Sequence, residues 1–288
     1  MATLIDGRQI ASDIRQEVKQ AVLAHTSRGK RAPYLAVVLV GHDPASASYV
    51  RGKAKASAEV GIESDTMTFP DTISEAELLE IVARLNDDDN VDGILVQLPL
   101  PAHIDDTRVI NAISPDKDVD CFHPASVGRL SIGLDGFAPA TPAGIVQLLE
   151  RSDIETSGAH CVIIGRSNIV GKPLANLMLR KGIDATVTVC HSRTRDLAGI
   201  ARQADILVAA IGRAHFVTAE MVKPGATVID VGINRVDDST RERGYRLVGD
   251  VDFDAVEPIA GHITPVPGGV GPMTIAVLLQ NTLKAATM

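Results

Sequence analysis

Cysteine is scarce in this chain, with 3 in 288 residues, at positions 121, 161 and 190, and there is no Cys-x-x-Cys pair. An odd, widely spaced set supports neither a disulfide framework nor a zinc site, and no metal is expected. Cys161 and Cys190 lie in apolar, strand-like runs and read as inert core residues. Long apolar runs are missing too. Stretches such as 35–40 and 206–211 fall far short of the roughly 20 residues a membrane-spanning helix needs, so they read as buried strands and no membrane partner is expected. Met1 to Val18 carries Asp6, Arg8, Asp13 and Arg15 where a secretory leader would be unbroken and apolar, so the expected location is the cytoplasm. Dense basic clusters are also absent. The 28 Lys and Arg stand against 36 Asp and Glu, a formal net charge of −8, which argues against a nucleic-acid partner.

With 45% apolar residues the chain can bury a sizeable core and excludes disorder. Short β-branched runs alternate with helical patterns, the pattern of parallel sheets covered by helices. Strands are expected near 34–40, 64–69, 92–97, 160–165, 185–190, 205–211, 227–231 and 246–249, and helices near 7–28, 45–60, 74–88, 104–112, 142–151, 170–181, 195–202 and 273–286. The stretch 116–142 lacks a clear period and holds Pro124, Gly128, Gly133, Gly136 and Pro139, so a domain boundary is placed there. A second irregular segment, 265–272, leads into the apolar last helix, which is expected to pack back on the first domain.

Four constellations carry chemistry. In Gly41 to Lys53 a strand ends, Asp43 or Ser46 can cap the helix that begins beyond Pro44, and Tyr49 and Lys53 lie four apart on one helical face. The spacing alone also fits a packed ring beside a solvated lysine. The same spacing occurs in short-chain dehydrogenases, but there it follows the nucleotide-binding turn, and here it precedes it. In Val91 to Pro101 an apolar strand ends in Gln97 and two prolines, which places an amide donor and acceptor at the sheet edge where α/β proteins bind ligands, or merely ties down a loop. In Ser114 to His123, the carboxylates at 116, 118 and 120 lack the glycine and distal glutamate of a calcium loop. One buried aspartate there can instead accept two parallel hydrogen bonds from a planar ligand edge. Finally, His160 to Pro173 reads as strand, glycine-flanked turn and helix, the arrangement that sets helix N–H groups against a pyrophosphate. The following strand ends in His191-Ser192-Arg193-Thr194, where an acidic residue would favour a free ribose hydroxyl and Arg193 favours a 2′-phosphate, hence NADP.

Together, 41–53, 96–101, 115–123, 165–173, 190–194, 228–234 and 265–274 resemble, in order and from end to end, the bifunctional methylenetetrahydrofolate dehydrogenase/methenyltetrahydrofolate cyclohydrolase family. The run Pro267-Gly-Gly-Val-Gly-Pro-Met-Thr274 is the most distinctive. The resemblance implies a two-domain α/β fold with a cleft between the domains. Residues 1–140 plus 273–288 would form a folate-binding catalytic domain, and 141–272 a Rossmann-like NADP domain. It implies that Tyr49 stacks on the pterin, that Lys53 and Gln97 form the catalytic pair, and that Asp120 binds the aminopyrimidine edge. By the same resemblance Leu98, Pro267, Gly268, Gly269 and Val270 wall the folate pocket, and Gly165, Arg166, Ser167, Ser192 and Ile233 hold the nucleotide. A homodimer acting on tetrahydrofolate one-carbon derivatives is implied as well. One departure is visible: Cys121 stands where the family usually has glycine. If that position needs φ > 0, the cysteine costs on the order of 1 kcal/mol or more.

Loss of hydride from the methylene bridge leaves a cation shared by two nitrogens, so that step needs alignment rather than a base. Hydrolysis of the methenyl cation needs proton movement near the bridging carbon, and Lys53 is the strong candidate for it. The cationic substrate is expected to lower its pKa while Gln97 keeps it aligned. A dehydrogenase without the hydrolase step is the nearest rival, and a nucleotide-sensing module on a retired enzyme fold is a rival of another class. The presence of Lys53 argues against the first, and the presence of all four of Tyr49, Lys53, Gln97 and Asp120 against the second.

Overall fold

The computed structural model describes residues 1–241 and 244–288. In chain order the elements are β1 (Thr3–Leu4), α1 (Gly7–Thr26), β2 (Tyr34–Val40), α2 (Pro44–Val60), β3 (Glu63–Phe69), α3 (Glu75–Asp87), β4 (Gly93–Val96), α4 (Asp106–Ala112), α5 (Pro124–Ser131), α6 (Ala140–Arg151), β5 (His160–Ile164), α7 (Gly171–Met178), β6 (Thr186–Cys190), α8 (Leu197–Ala201), β7 (Ile206–Ala209), β8 (Thr227–Asp230), β9 (Asn234–Asp237), β10 (Tyr245–Val248), α9 (Phe253–Val256), β11 (His262–Ile263) and α10 (Val270–Ala285). Among the described residues no helix is long and apolar enough to cross a membrane.

Contacts divide the chain into two compact units, one of residues 12–140 and 275–288, the other of 1–11 and 141–274. Sequence reading drew 1–140 plus 273–288 and 141–272. The first residues fall in the other unit because β1 pairs in parallel with β11, Thr3 opposite His262 and Leu4 opposite Ile263.

The unit of 12–140 and 275–288 holds a parallel sheet ordered β3-β2-β4. Its central strand β2, Tyr-Leu-Ala-Val-Val-Leu-Val, is buried from Leu35 to Val40, while the edge strand β3 carries exposed polar residues along most of its length. Helix α3 starts at a capping box in which Ser74 and Glu77 satisfy each other's backbone N–H groups. It buries Leu78, Ile81 and Val82, spaced as one helical face, against Val38, Ile94 and Val96 of the sheet. The strand order reverses at β2/β4, so the carboxyl ends of these two strands, followed by Gly41 and Gln97, form the crevice where such sheets take ligands.

The segment 116–142, read from sequence as irregular, contains helix α5. Pro124 occupies its first turn and His123 Nδ1 caps it by accepting from Ala125 N at 3.0 Å. At eight residues, with Leu130 as its one large buried side chain, the helix is too short to show a hydrophobic period. In the same unit, α10 is tied down by Asn281, whose Nδ2 donates to the carbonyls of Val119 at 2.8 Å and Ala138 at 2.9 Å.

The other unit contains an all-parallel sheet ordered β1-β11-β8-β7-β5-β6 and an antiparallel hairpin β9–β10. Val162, Leu207 and Val228, from three adjacent central strands, are fully buried in its core. Here the order reverses at β5/β7, which places a second ligand-type crevice beyond Ile164 and Ala209.

Candidate active site

Lys53 lies on α2 and is 4% exposed. Its Nζ donates to Gln97 Oε1 at 3.0 Å and sits 4.6 Å from the centroid of the Tyr49 ring. The helical spacing that puts Tyr49 and Lys53 on one face depends on the start of α2. There Asp43 Oδ2 accepts from Ser46 N at 2.7 Å and Pro44 occupies the first turn. Gln97 follows β4, its N–H donates to Val38 O at 2.9 Å, and its Nε2 donates to Leu98 O at 2.7 Å. The amide is thereby oriented with its oxygen toward the lysine. Burial pushes the Lys53 ammonium below its ordinary pKa, and the carboxylate of Asp120 opposes that shift. The protein itself thus starts the shift that sequence reading ascribed to a cationic substrate.

The three loop carboxylates take three different places. Asp116 is exposed, 3.6 Å from Arg129. Asp118 is 2% exposed and accepts from Phe122 N at 3.1 Å and His123 N at 2.9 Å. Burial raises its carboxyl to about 6. Asp120 is the one whose charge faces Lys53, and burial raises its pKa while the lysine lowers it. The loop reaches this position because Ile94 N donates to Lys117 O at 2.8 Å and because β4 has Gly93, where an added Cβ would meet Val119 Cγ1 at 2.7 Å. Cys121 turns the chain with φ 59°, the left-handed region that glycine adopts freely. Its thiol is buried and donates to Phe137 O at 3.2 Å.

In the other unit, β5 leads into Gly165, at φ 138°. A Cβ added there would lie 2.2 Å from Ala210 O, and one on Gly171 would lie 2.1 Å from Gly165 O. A side chain would fill this turn. Its bare backbone, running into α7, is the cradle that lets a pyrophosphate approach closely, so these residues fit a dinucleotide. Ser167 Oγ accepts from Val170 N at 3.1 Å, inside its own turn. Arg166, Ser192 and Arg193 are exposed. The turn after β6 is closed by Thr194 N donating to His191 O at 2.8 Å, and it carries no acidic side chain between Cys190 and Thr194.

Pro267, Gly268, Gly269 and Val270 line a cavity of about 180 Å³ that also takes in Ile233 and Arg8. Gly7 permits this fold of the loop, since a Cβ there would fall 1.8 Å from Gly269 O. A larger cavity, about 500 Å³, lies against β10. Of the residues singled out from sequence, only Pro267 lines it.

Two family models match: the tetrahydrofolate dehydrogenase/cyclohydrolase catalytic domain over residues 5–120, and the NAD(P)-binding domain of the same family over 139–288. The bifunctional protein FolD of Salinibacter ruber is 59% identical over 287 residues, covering 100% of this chain and 96% of the relative. The crystal structure of the bifunctional FolD methylenetetrahydrofolate dehydrogenase/cyclohydrolase from Campylobacter jejuni superposes with a TM-score of 0.94 at 48% identity. That match covers 100% of this chain and 99% of the other. The Trypanosoma brucei dehydrogenase-cyclohydrolase, solved with NADP and an inhibitor, gives 0.93 at 42% identity over 99% and 97% of the two chains.

The chain belongs to the tetrahydrofolate dehydrogenase/cyclohydrolase family.

Of the residues that sequence reading assigned on the family's pattern, Tyr49, Lys53, Gln97 and Asp120 meet in one unit around a buried amine. Ile233 and the loop from Pro267 meet around a cavity in the other. Sequence reading missed Arg8 at that cavity, Asp118 as the residue that folds the Asp120 turn, and two buried aspartates, Asp230 and Asp250. A signal for the last two was present: Asp250 follows Gly249 and Asp230 shortly precedes Gly232, and a glycine beside a strand end marks a close approach.

Proposed function

We propose that this protein oxidises 5,10-methylenetetrahydrofolate to the methenyl form with NADP and then hydrolyses it to 10-formyltetrahydrofolate. The observation that carries this reading is a buried lysine, hydrogen-bonded to an amide and facing a carboxylate, in a chain that matches both family domains. Bound NADP supplies the acceptor for the hydride. No proton leaves the substrate in that step, so Tyr49 as a stacking surface and Asp120 as a partner for the aminopyrimidine edge serve alignment.

Hydrolysis asks for more. Water adds to the bridging carbon and loses a proton; the carbinol then collapses to the formyl group as its hydroxyl gives up its proton, one carbon–nitrogen bond breaks and that nitrogen takes up a proton. Per turnover one proton is released. A lysine whose ammonium is destabilised by burial gives up its proton more readily than an ordinary one, so its amine can accept the first proton and then return it at the departing nitrogen. The Gln97 oxygen keeps the amine aimed. On the nucleotide side, Gly165, Arg166, Ser167 and Ser192 would hold the dinucleotide and Arg193 would select the 2′-phosphate. Ile233 would help to hold the dinucleotide, and Leu98 would border the folate.

We assign the protein to the cytoplasm and propose that it is a homodimer, a state that analytical ultracentrifugation checks. The activity itself is tested by mixing purified protein with methylenetetrahydrofolate and either NADP or NAD, following nicotinamide reduction and methenyl decay together. NADP reduction with catalysed methenyl decay supports the proposal; reduction with no catalysed decay would leave a dehydrogenase alone.

A further inference from the structure

We infer that Asp250 is a positioning residue for the cofactor, an assignment that rests on the reading above that the β5/β7 edge takes NADP. Asp250 is fully buried. Its Oδ2 accepts from Ile211 N at 2.6 Å and Gly212 N at 2.8 Å, and its Oδ1 accepts from Arg213 N at 2.8 Å and Asn234 Nδ2 at 2.9 Å. Three consecutive backbone N–H groups converging on one point form the kind of concavity that binds anions. Here the protein fills it with its own carboxylate.

What that carboxylate holds decides its role. Residues 211–213 follow β7 at the reversal point of the sheet, and Ala210, just before them, is the residue whose carbonyl lies against Gly165. The backbone there is irregular, so nothing in the sheet ladder fixes these N–H groups. A second carboxylate completes the brace. Asp230 accepts from Gly232 N and Asp250 N through Oδ1 and from Val251 N through Oδ2, each at 2.9 Å. Gly232 and Asn234, the two neighbours of Ile233, are therefore both tied to the pair, which leaves the Ile233 side chain 59% exposed on a fixed backbone. The glycines are required, because a Cβ on Gly232 would lie 2.3 Å from Asp250 Oδ1 and one on Gly249 would lie 1.7 Å from Asp230 Oδ2.

Tyr49, Lys53, Gln97 and Asp120 lie in the other unit and make none of these contacts. Weakening the brace therefore acts on nucleotide binding and spares the hydrolysis of methenyltetrahydrofolate, which consumes no nicotinamide. Asp250→Asn keeps the shape but turns an NH₂ group toward N–H donors. NADPH binding is measured by fluorescence titration, beside the Michaelis constant for NADP and the rate of hydrolysis of added methenyltetrahydrofolate. The dissociation constant for NADPH is expected to rise by about tenfold or more, the scale of losing charge-assisted hydrogen bonds. The Michaelis constant for NADP should follow it, with hydrolysis within about twofold of wild type. Asn234→Ala, which removes one donor and leaves the carboxylate, should weaken NADPH binding by a smaller factor, and it decides the matter alone if Asp250→Asn does not fold. Unchanged NADPH affinity, or hydrolysis falling in step with NADP reduction, overturns the assignment. Wild-type protein lacking both activities would overturn the functional reading instead.

Discussion

Lys53 Nζ donates to Gln97 Oε1 at 3.0 Å although 44 positions separate the two residues. One comes from the helix that leaves β2 and the other from the end of β4, the two strands that flank the reversal in sheet order. Parallel pairing of β2 with β4, Val38 opposite Val96, brings them to the same edge. The bond also consumes the amide oxygen, so the amine is aimed before any substrate arrives.

Replacing this amine should separate the two reactions. Lys53→Met keeps most of the side-chain length, so the pocket still fills. Methenyl hydrolysis should fall by at least the ~10²-fold typical of losing a general acid or base, while NADP reduction survives in part and methenyl product accumulates. A change of only a few-fold in both rates would show Lys53 to be a bystander. Equal collapse of both, with weak folate binding, would make it a positioning residue.

Asp120 should behave differently, since an anchor serves both steps. Asp120→Ala is expected to weaken both activities together by about 1.5–3 kcal/mol, the cost of losing a charged hydrogen-bonding partner. Direct titration with a folate analogue checks that the loss is in binding; intact binding with only one activity lost would give Asp120 a chemical role.

Cofactor choice is expected to sit on Arg193, which is exposed on the turn after β6. Arg193→Ser should raise the Michaelis constant for NADP much more than that for NAD. An unchanged ratio between the two would move the assignment to Arg166, which is also exposed.

Cys121 carries strain and packing at the same position. Cys121→Ala keeps the φ of 59° but loses the thiol contact to Phe137 O, whereas Cys121→Gly loses the thiol and relieves the strain. The glycine variant should therefore be the more stable of the two by about 1 kcal/mol, read from denaturant unfolding. Alanine equal to or better than glycine would show that the turn is not strained.

Asp118 should leave a mark on stability against pH. Burial raises its carboxyl from 3.8 to about 6, so the folded state holds the proton more tightly than the unfolded chain does. Its stabilising contribution is fully present below about pH 3.8 and is lost as pH rises through about 6. Asp118→Asn cannot titrate, so its deficit relative to wild type should be larger at pH 5 than at pH 7. Urea unfolding of both proteins across that range is the check, and a deficit that grows with pH would contradict the sign.

Much of the fold was legible in the residues themselves, because burial on both faces turns a parallel strand into an apolar run and a covering helix into a periodic one. The runs at 34–40 and 206–211 and the face Leu78, Ile81 and Val82 are written that way. The same holds for Tyr49 and Lys53, since helical spacing is a local property. Elements too short to show a period were not legible. Helix α5 depends on the His123 cap, and β1 exists only because Ile263 and its neighbour offer it a ladder.

What only the tertiary structure decided is which of several chemically equivalent residues does what. Asp116, Asp118 and Asp120 are the same side chain two positions apart, and nothing in their order distinguishes them. Desolvation and partners do: one is left in water beside Arg129, one is consumed by the N–H groups of Phe122 and His123, and one is set against Lys53. The same reason separates Asp230 and Asp250 from the many surface aspartates of an acidic chain. A carboxylate's role follows from the donors gathered around it, and those donors arrive from strands and loops that only the folded chain brings together.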